Sequence, residues 1–426
     1  MNVFTRKRNT LFRAAGAAVI AAVVFILASC ASTETKAVSP VIDPDGPKIA
    51  SYIRTWPLGS TTVDMDAGEY WNGDMVHGEY LTDLIIAFAH IDPKDGTSIF
   101  IKDLEDQPSV ITEGKTVPGF PNFWEEIAKV KARFPHLRVN LSVGGWGADG
   151  FSDMSADPAM RAKFVANVCD WLQKYNLDGF DVDWEYPVGP PWGGSEIKVS
   201  PDDRQNYITL LSDLRSGLDT LGSKTGKRYE LSTAVPASGW FIEANDVVAA
   251  AAVVDSLKLM SYDYYGAWSA QTGHHANLYN NPRDPDWGGW STDQAVRTYL
   301  DAGVPAEKLV VGVAFYGRAW KGVAAGDDPV TPGLYQKYAE STYPDGASWG
   351  DIQTLMKDPS YTYYWDDVAK APYLYNGDEF ITFTDTRLIS EIDTYVKENR
   401  LGGVMIWEYG HDVDASLLKP LAEGVQ

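Results

Sequence analysis

Cysteine is the rarest residue in this 426-residue chain, which contains only Cys30 and Cys169. A disulfide framework of the kind that supports small secreted domains is therefore excluded. Cys169 is placed at helical spacing with Val165 and Leu172, which favours a buried, inert thiol. Since 45% of the residues are hydrophobic and 12% aromatic, the chain can instead bury a large apolar core.

Positive charge is also scarce, with 36 Lys and Arg against 58 Asp and Glu and a formal net charge of −22. Such a chain offers no basic footprint for nucleic acid and is repelled by anionic surfaces. Neutral polymers remain suitable partners. The 15 Trp and 23 Tyr are numerous enough to line a groove that stacks on sugar rings, in addition to filling a core.

The N-terminus contains an apolar run over 14–27 that follows four basic residues and precedes small ones. This order is typical of an export signal, and the run is short for a membrane-spanning helix. The exit LASC resembles a bacterial lipobox, which implies cleavage before Cys30 and lipidation of its thiol. We therefore predict an exported protein that is lipid-anchored to a bacterial membrane and faces outside the cytoplasm. An ordinary secretory signal, giving a secreted protein, is the alternative.

Three segments follow from this interpretation. Residues 1–29 are the predicted signal peptide, and their removal takes away four positive charges and no acids, so that −22 becomes −26. Residues 30–47 are rich in Ser, Thr, Pro and Asp and are predicted to be a flexible tether. Residues 48–426 form the predicted folded unit, and a monomer is expected.

From residue 48 onward, short β-rich runs alternate with amphipathic helical segments. The candidate strands are 48–53, 83–91, 137–145, 177–185, 229–235, 256–262, 309–317 and 402–408. Eight β units separated by helices favour an α/β fold, the closed parallel (β/α)8 TIM barrel. An open doubly wound sheet is the alternative, but no Gly-rich phosphate-binding motif follows the first strand.

The interval between the seventh and eighth candidate strands is more than eighty residues long. A crossover between parallel strands needs about a dozen residues or somewhat more. The interval contains aromatic-rich runs and an Asn-Gly turn. We therefore predict a small α+β insertion domain at 320–384, between strand 7 and helix 7 of the barrel.

The fourth strand contains the run LDGFDVDWEYP, residues 177–187, in which acids alternate with large apolar residues. Alternation along a strand places Asp181, Asp183 and Glu185 on the face toward the barrel interior. The opposite face, toward the helices, receives Phe180, Val182, Trp184 and Tyr186. Carboxylates spaced by about 6.5–7 Å in a partly dry interior cannot all ionise cheaply, because like charge and desolvation raise their pKa values.

Glu185 is the outermost of these acids and lies at the carboxyl end of the strand, where barrel enzymes keep their chemistry. A carboxyl group that is still protonated near neutral pH can act there as a general acid. An ion-paired structural cluster and a divalent-metal site are the alternatives. Neither is favoured, since the run contains no Lys or Arg and no histidine pair accompanies it. Neither a metal nor a cofactor is predicted.

With its neighbours, this run resembles the signature of glycoside hydrolase family 18, the chitinases. The family pattern DxxDxDxE is matched by Asp178, Asp181, Asp183 and Glu185. Further segments are similar to family motifs in the same chain order: SVGG at 142–145, MSYD at 260–263, FYGRAW at 315–320 and GGVMIWE at 402–408. The resemblance covers about 48–412, and the long interval is similar to the family's insertion.

The resemblance implies a retaining chitinase that hydrolyses β-1,4-linked N-acetylglucosamine by substrate assistance, an exception to the usual pair of carboxylates. It implies that Glu185 is the acid and base and that the substrate's acetamido oxygen is the nucleophile. Asp183 would hold the acetamido N–H, and Asp181 would share a proton or hydrogen bond with Asp183. Tyr262 would donate a hydrogen bond to the acetamido oxygen.

The resemblance also implies a set of substrate contacts in a cleft at the barrel mouth. Trp407 would form an apolar floor under one sugar, and Trp146 and Trp268 would be stacking platforms for others. The remaining predicted contacts are Met260, Asp263, Arg318, Tyr186, Tyr52 and Phe88. The adjacent His274 and His275 are interpreted as loop structure.

Chitin or chitooligosaccharides are the expected substrates. Two other functions are kept open. An endo-β-N-acetylglucosaminidase acting on glycoprotein or peptidoglycan glycans is the first. A non-catalytic sugar-binding protein on the same fold is the second, although such members usually lack the glutamate that Glu185 provides.

Overall fold

The computed structural model of the protein describes residues 36–58, 70–104, 109–110, 116–190, 197–285 and 290–426. The predicted signal peptide, Cys30 and the first residues of the predicted tether lie outside these ranges. No helix among the described residues combines the length and apolarity needed to cross a membrane.

Strands and helices alternate along most of the chain. The strands are β1 (Lys48–Arg54), β2 (Asp83–Ile91), β3 (Ile99–Phe100), β4 (Ser109–Val110), β5 (Thr116–Val117), β6 (Arg138–Gly144), β7 (Gly179–Asp183), β8 (Glu230–Pro236), β9 (Ser256–Met260), β10 (Leu309–Ala314), β11 (Tyr316–Lys321), β12 (Glu340–Ser348), β13 (Thr362–Asp366), β14 (Ala371–Tyr375), β15 (Phe380–Thr382) and β16 (Gly403–Trp407). The helices are α1 (Phe123–Arg133), α2 (Phe151–Ala156), α3 (Pro158–Lys174), α4 (Asp203–Thr225), α5 (Gly239–Ala244), α6 (Val247–Val253), α7 (Thr292–Asp301), α8 (Trp349–Leu355), α9 (Thr386–Glu398) and α10 (Leu418–Val425).

Eight parallel strands form a closed barrel in the order β1-β16-β10-β9-β8-β7-β6-β2, and the pairing of β1 with β2 closes it. All eight correspond to the predicted strands, so the (β/α)8 prediction is confirmed. The short β3 adds to β2 in the antiparallel direction. Closure places the carboxyl ends of all eight strands at one mouth of the barrel, which is where the predicted site residues lie.

Side-chain caps mark the start of α3, α6, α7, α8 and α9 among the described helices, and the barrel helices turn apolar faces to the barrel. α9 starts at Asp385, whose carboxylate accepts hydrogen bonds from the N–H groups of Arg387 and Leu388. Its buried residues include Leu388, Ile389, Ile392 and Val396, at the spacing of one helical face. Cys169 on α3 is only half-buried, less than predicted, and carries a free thiol.

Charged residues close the amino-terminal end of the barrel. Lys48, Asp83, Arg138 and Glu230 are the first residues of β1, β2, β6 and β8. Lys48 Nζ lies 2.7 Å from Glu230 and 3.6 Å from Asp83, and Arg138 Nε lies 2.8 Å from Asp83 and 3.4 Å from Glu230. We call these four residues the basal layer. It contains two cations and two anions and is balanced in charge.

A second sheet occupies the interval between β10 and α9. It is antiparallel and five-stranded, in the order β12-β11-β15-β14-β13, with α8 between β12 and β13. It begins at Tyr316, four residues before the predicted boundary, and β11 brings Arg318 to the barrel mouth. That this segment is a distinct insertion domain stays a prediction.

The described part of the predicted tether, residues 36–47, makes a few contacts with the folded unit, and that residues 30–47 form a flexible tether stays a prediction. Ile42 is only 5% exposed and belongs to the main core. The N–H groups of Val38 and Val41 donate to the carbonyls of Arg133 and Glu79 at 2.7 and 2.9 Å. These contacts pair two backbone N–H groups and bury one apolar side chain, while residues 36–41 are exposed as their polar composition predicts.

Candidate active site

The acids of β7 are brought to the centre of the barrel as alternation predicts. Asp181 is fully buried and Asp183 is 4% exposed, whereas Phe180 and Val182 are buried in the apolar core outside the barrel. Trp184 stacks on Phe151 of α2, with ring centroids 5.2 Å apart. The strand ends at Asp183, so Glu185 lies just beyond it and is half-buried at the mouth.

Tyr186 lies both at the mouth and against helix α5, toward which it was predicted to point. β7 ends at Asp183, and the alternation of a regular strand no longer applies beyond it. The Tyr186 side chain makes a hydrogen bond with Glu185, and its ring lies against Trp146 and Trp240, with centroids 6.5 and 5.6 Å away. Tyr186 is therefore a residue of the mouth, in agreement with its place among the predicted substrate contacts.

Asp181 is saturated with hydrogen-bond donors. Its Oδ2 accepts from the hydroxyls of Tyr52 and Ser142, both at 2.8 Å. Its Oδ1 accepts from Ser232 Oγ at 2.6 Å and from Lys258 Nζ at 3.1 Å. Lys258 and Asp181 are both buried, with side-chain exposures of 1% and 0%.

Two expectations for Asp181 are therefore wrong. Burial acts to raise its pKa, but the charge of Lys258 and the hydrogen bonds from Ser232, Ser142 and Tyr52 together lower it. No hydrogen bond joins Asp181 to Asp183 in the described part of the chain, because the acceptor positions of Asp181 are already filled. An ion-paired structural cluster was the alternative not favoured for this run. It applies to Asp181, the innermost acid, whose cation is Lys258 on β9.

Asp183 and Glu185 have the opposite environment. Burial raises the pKa of Asp183 well above its ordinary value, and the charges of Glu185 and Asp181 raise it further. Burial also raises the pKa of Glu185 to about 7, although a hydrogen bond with Tyr186 acts to lower it. Asp183 Oδ1 is buried without a hydrogen-bond partner among the described residues. At neutral pH Asp183 and Glu185 therefore hold a proton between them, next to the acceptor Asp183 Oδ1, which no described protein group uses.

Four aromatic side chains form a wall next to these acids. Trp407 lies 5.6 Å from Phe88 in a stacked arrangement, 5.5 Å from Tyr52 and 6.4 Å from Trp56, measured between ring centroids. Met260 packs against the same cluster. Sequence reasoning missed Trp56, although its position directly after β1, at the carboxyl end of a barrel strand, was a usable signal.

Tyr262 and Asp263 follow the carboxyl end of β9. Tyr262 is half-buried and packs edge-to-face on Tyr316 at 6.2 Å. Arg318 holds Asp263 through two hydrogen bonds of 2.9 and 2.8 Å. Burial acts to raise the pKa of Asp263, but His275 and Arg318 lower it below its ordinary value. Asp263 is thus an ionised residue at the rim.

Trp146 and Trp268 are the exposed members of the predicted set, at 72% and 64%. Trp146 follows β6, and Trp268 lies beneath the guanidinium of Arg318, 5.3 Å from its ring centroid. Large aromatic rings exposed to this degree, beside a cleft, are available to stack on a ligand.

Two further residues escaped the sequence prediction. Lys258 lies inside an apolar strand, and its partner Asp181 is 77 positions away. His275 is fully buried with Nδ1 3.8 Å from Asp263, and its neighbour His274 lies 3.2 Å from Asp366. Both histidines lie in a loop, as interpreted, but they are packed and paired rather than solvated. Over the described residues, no group of three or more His, Cys, Asp or Glu is placed to hold a metal ion.

Comparison with known proteins agrees with this architecture. A family model described as Glycosyl hydrolases family 18 matches residues 49–412, and the chain belongs to this family. Chitinase A1 of Niallia circulans is 37% identical over 338 residues, which are 73% of this chain and 46% of that protein. Probable chitinase 2 of Drosophila melanogaster is 32% identical over 405 residues, 91% of this chain and 77% of that protein.

Solved structures give the same result. A family 18 N-acetylglucosaminidase from Paenibacillus barengoltzii superposes with a TM-score of 0.72 at 32% identity, covering 89% of this chain and all of that one, 100%. Several curated relatives are longer proteins. This chain spans about half their length, 46% for the Niallia circulans protein and 48% for a probable endochitinase of Caenorhabditis elegans.

Proposed function

We propose that the protein is a chitinase, which hydrolyses β-1,4 linkages between N-acetylglucosamine units with retention of configuration. The observation that supports this most directly is the pair Asp183 and Glu185. A carboxyl group with a pKa of about 7 stands at the barrel mouth, next to a second acid with an unpartnered buried oxygen. Family membership and the chitinase relatives support the same reaction.

In the first step of the proposed mechanism, Glu185 gives its proton to the glycosidic oxygen while the bond from C1 to that oxygen breaks. The acetamido oxygen of the same sugar attacks C1, which forms an oxazolinium-type intermediate and releases the other sugar. Asp183 accepts the acetamido N–H through the oxygen that has no protein partner, and its charge stabilises the positive charge that develops. Tyr262 donates a hydrogen bond to the acetamido oxygen.

In the second step, the Glu185 carboxylate takes a proton from a water molecule, which attacks C1 and reopens the ring of the intermediate. Two inversions at C1 give net retention. A single carboxyl group thus serves as acid and then as base. A nucleophilic carboxylate on the far side of the sugar is not needed, since the substrate supplies its own nucleophile.

The proposed substrate contacts follow the geometry of the mouth. Trp407, with Tyr52, Phe88 and Trp56 around it, would support the reacting sugar from below. Trp146, Trp268 and Tyr186 would stack on or line the path of neighbouring sugars, and Met260 would fill the wall beside them. Asp263 and Arg318 would form polar contacts at the rim.

The decisive experiment compares substrates with and without the acetamido group. We expect hydrolysis of chitohexaose with retained anomeric configuration by proton NMR, and no cleavage of cellohexaose. A thiazoline analogue of the intermediate should inhibit competitively. Equal cleavage of the two hexasaccharides would contradict substrate assistance.

An endo-β-N-acetylglucosaminidase is the alternative, and the chitinase relatives do not favour it. Release of glycans from a glycoprotein at a higher kcat/KM than chitohexaose would establish it instead. We also propose that the protein is exported, is lipidated on Cys30 and acts as a monomer. Mass spectrometry of the mature N-terminus, together with a Cys30→Ser variant that loses its membrane association, tests the anchor.

A further inference from the structure

The charges inside the barrel are arranged in levels from its amino-terminal end to its mouth. The basal layer balances two cations against two anions. Above it, Lys258 balances Asp181. At the mouth come Asp183 and Glu185, and no ion pair within 4.0 Å involves either of them among the described residues. Lys258 is thus the cation that separates a neutralised interior from an acidic pair.

The contacts of Lys258 hold its charge at Asp181. Its ammonium donates to Asp181 Oδ1 at 3.1 Å and also to Ser232 Oγ, which in turn donates to the same carboxylate oxygen. The other titratable groups that face this pair are Asp183 on β7, Glu230 on β8, Tyr52 on β1 and Tyr207 on α4. Glu230 is itself held by Lys48 and Arg138 of the basal layer, so Lys258 remains with Asp181.

We propose that Lys258 is a positioning residue that keeps Asp181 ionised and hydrogen-bonded, and thereby confines the catalytic proton to Asp183 and Glu185. The inference rests on the proposed function for its catalytic meaning. The fixed ammonium of Lys258 neutralises the charge of Asp181, which would otherwise require a second proton. It compensates the innermost acid, so that the outer pair can exchange one proton without a share going to Asp181.

The proposal predicts the sign of a pH shift. The profile of kcat/KM against pH has an acidic and an alkaline limb. The acidic limb reports the gain of a second proton by Asp183 and Glu185, and the alkaline limb reports the loss of their last proton. In Lys258→Met a nearby cation is lost, so both limbs should move to higher pH, by about one unit. Asp181→Asn removes an anion instead, and both limbs should move to lower pH.

The double variant Lys258→Met with Asp181→Asn removes both charges, and its limbs should return to within about 0.3 unit of the wild type. This variant also keeps the test decisive if Lys258→Met alone does not fold, because its difference from Asp181→Asn isolates the effect of Lys258. Lys48→Met is the matched control, since it removes a buried cation of the basal layer. It should lower the melting temperature and leave both limbs in place.

A second readout separates this inference from the proposed function. The carbonyl stretch of the protonated carboxyl groups can be titrated by infrared spectroscopy without substrate, and it should shift with the same signs in the same variants. If the wild type titrates in this way but cleaves no chitooligosaccharide, the proposed function fails and the role of Lys258 stands. If the limbs and the infrared titration of Lys258→Met match the wild type, or if Lys48→Met moves them equally, the proposal is wrong.

Discussion

The two ends of the barrel contain similar residues in opposite electrostatic states. In the basal layer, Lys48 and Arg138 lie within 4 Å of Asp83 and Glu230, so each buried acid has a cation. At the mouth, Asp183 and Glu185 have none among the described residues. Burial raises the pKa of both carboxyl groups, and the charge of Glu185 raises the pKa of Asp183 further. Burial is common to both ends, and the absence of a neighbouring cation leaves the proton of Asp183 and Glu185 available for chemistry.

The largest expected effect comes from a Glu→Gln substitution, which can be made at each end of the barrel. Glu185→Gln should lower kcat by about 10³-fold or more, because the acid and base of both steps is lost. It should still bind chitohexaose within a few-fold of the wild type, measured by calorimetry. Glu230→Gln, the matched change in the basal layer, should reduce stability and leave kcat within about threefold. A Glu185→Gln enzyme with normal turnover would remove Glu185 from the mechanism.

Asp83→Asn tests the role of the basal layer at the amino-terminal end of the barrel. Because Lys48 and Arg138 would lose their partner inside the barrel, we expect the free energy of unfolding to fall by about 3–5 kcal/mol at pH 7. Burial acts to raise the pKa of Asp83, but Lys48 and Arg138 lower it far below its usual range. The stabilisation is therefore present above the unfolded pKa of about 3.9 and is lost as the pH falls below that value.

Urea denaturation at several pH values measures this difference. It should shrink steadily as the solution is acidified, while the kcat of the folded variant stays within about twofold. A difference that is constant with pH would mean that Asp83 acts through packing alone.

Trp407→Ala compares the aromatic residues of the two ends. Loss of the proposed sugar platform should cost about 2 kcal/mol of transition-state binding, which is about a 30-fold decrease in kcat/KM. Phe134, which is fully buried before β6 at the amino-terminal end, provides the control. Phe134→Leu should cost about 1 kcal/mol of stability and leave kcat/KM unchanged. Equal kinetic losses in both variants would show that Trp407 acts only through folding.

The last prediction concerns pH, and within the first unit above pH 7 its effect is the smallest. Glu185 must be protonated to act as the acid, and burial raises its pKa to about 7. The group is therefore competent below pH 7, and kcat/KM should decline about tenfold per unit as the pH rises beyond it. A profile that stays flat from pH 7 to pH 9 would show that burial does not hold the proton on Glu185, and would weaken the contrast between the two ends.

Local patterns predicted most of the fold and much of the candidate site. The eight strands and their parallel closure follow from alternating β-rich and amphipathic segments, and period-two alternation correctly placed Asp181 and Asp183 inside the barrel. The same alternation does not explain the contact of Tyr186 with Glu185, because the regular strand has already ended. Composition did not reveal that Ile42 is buried in the core, since it does not register one apolar side chain meeting a complementary surface.

What the sequence alone determined was which side chains β7 turns inward and which strand ends meet at one mouth, because both depend on backbone periodicity and chain order. Only the tertiary structure decided the ionisation of each acid. Asp181 and Asp183 are two residues apart and indistinguishable as a pattern, yet Lys258, 77 positions away, lies against one of them. Proton affinity depends on burial and on charges brought from other strands, and no local pattern records those distances.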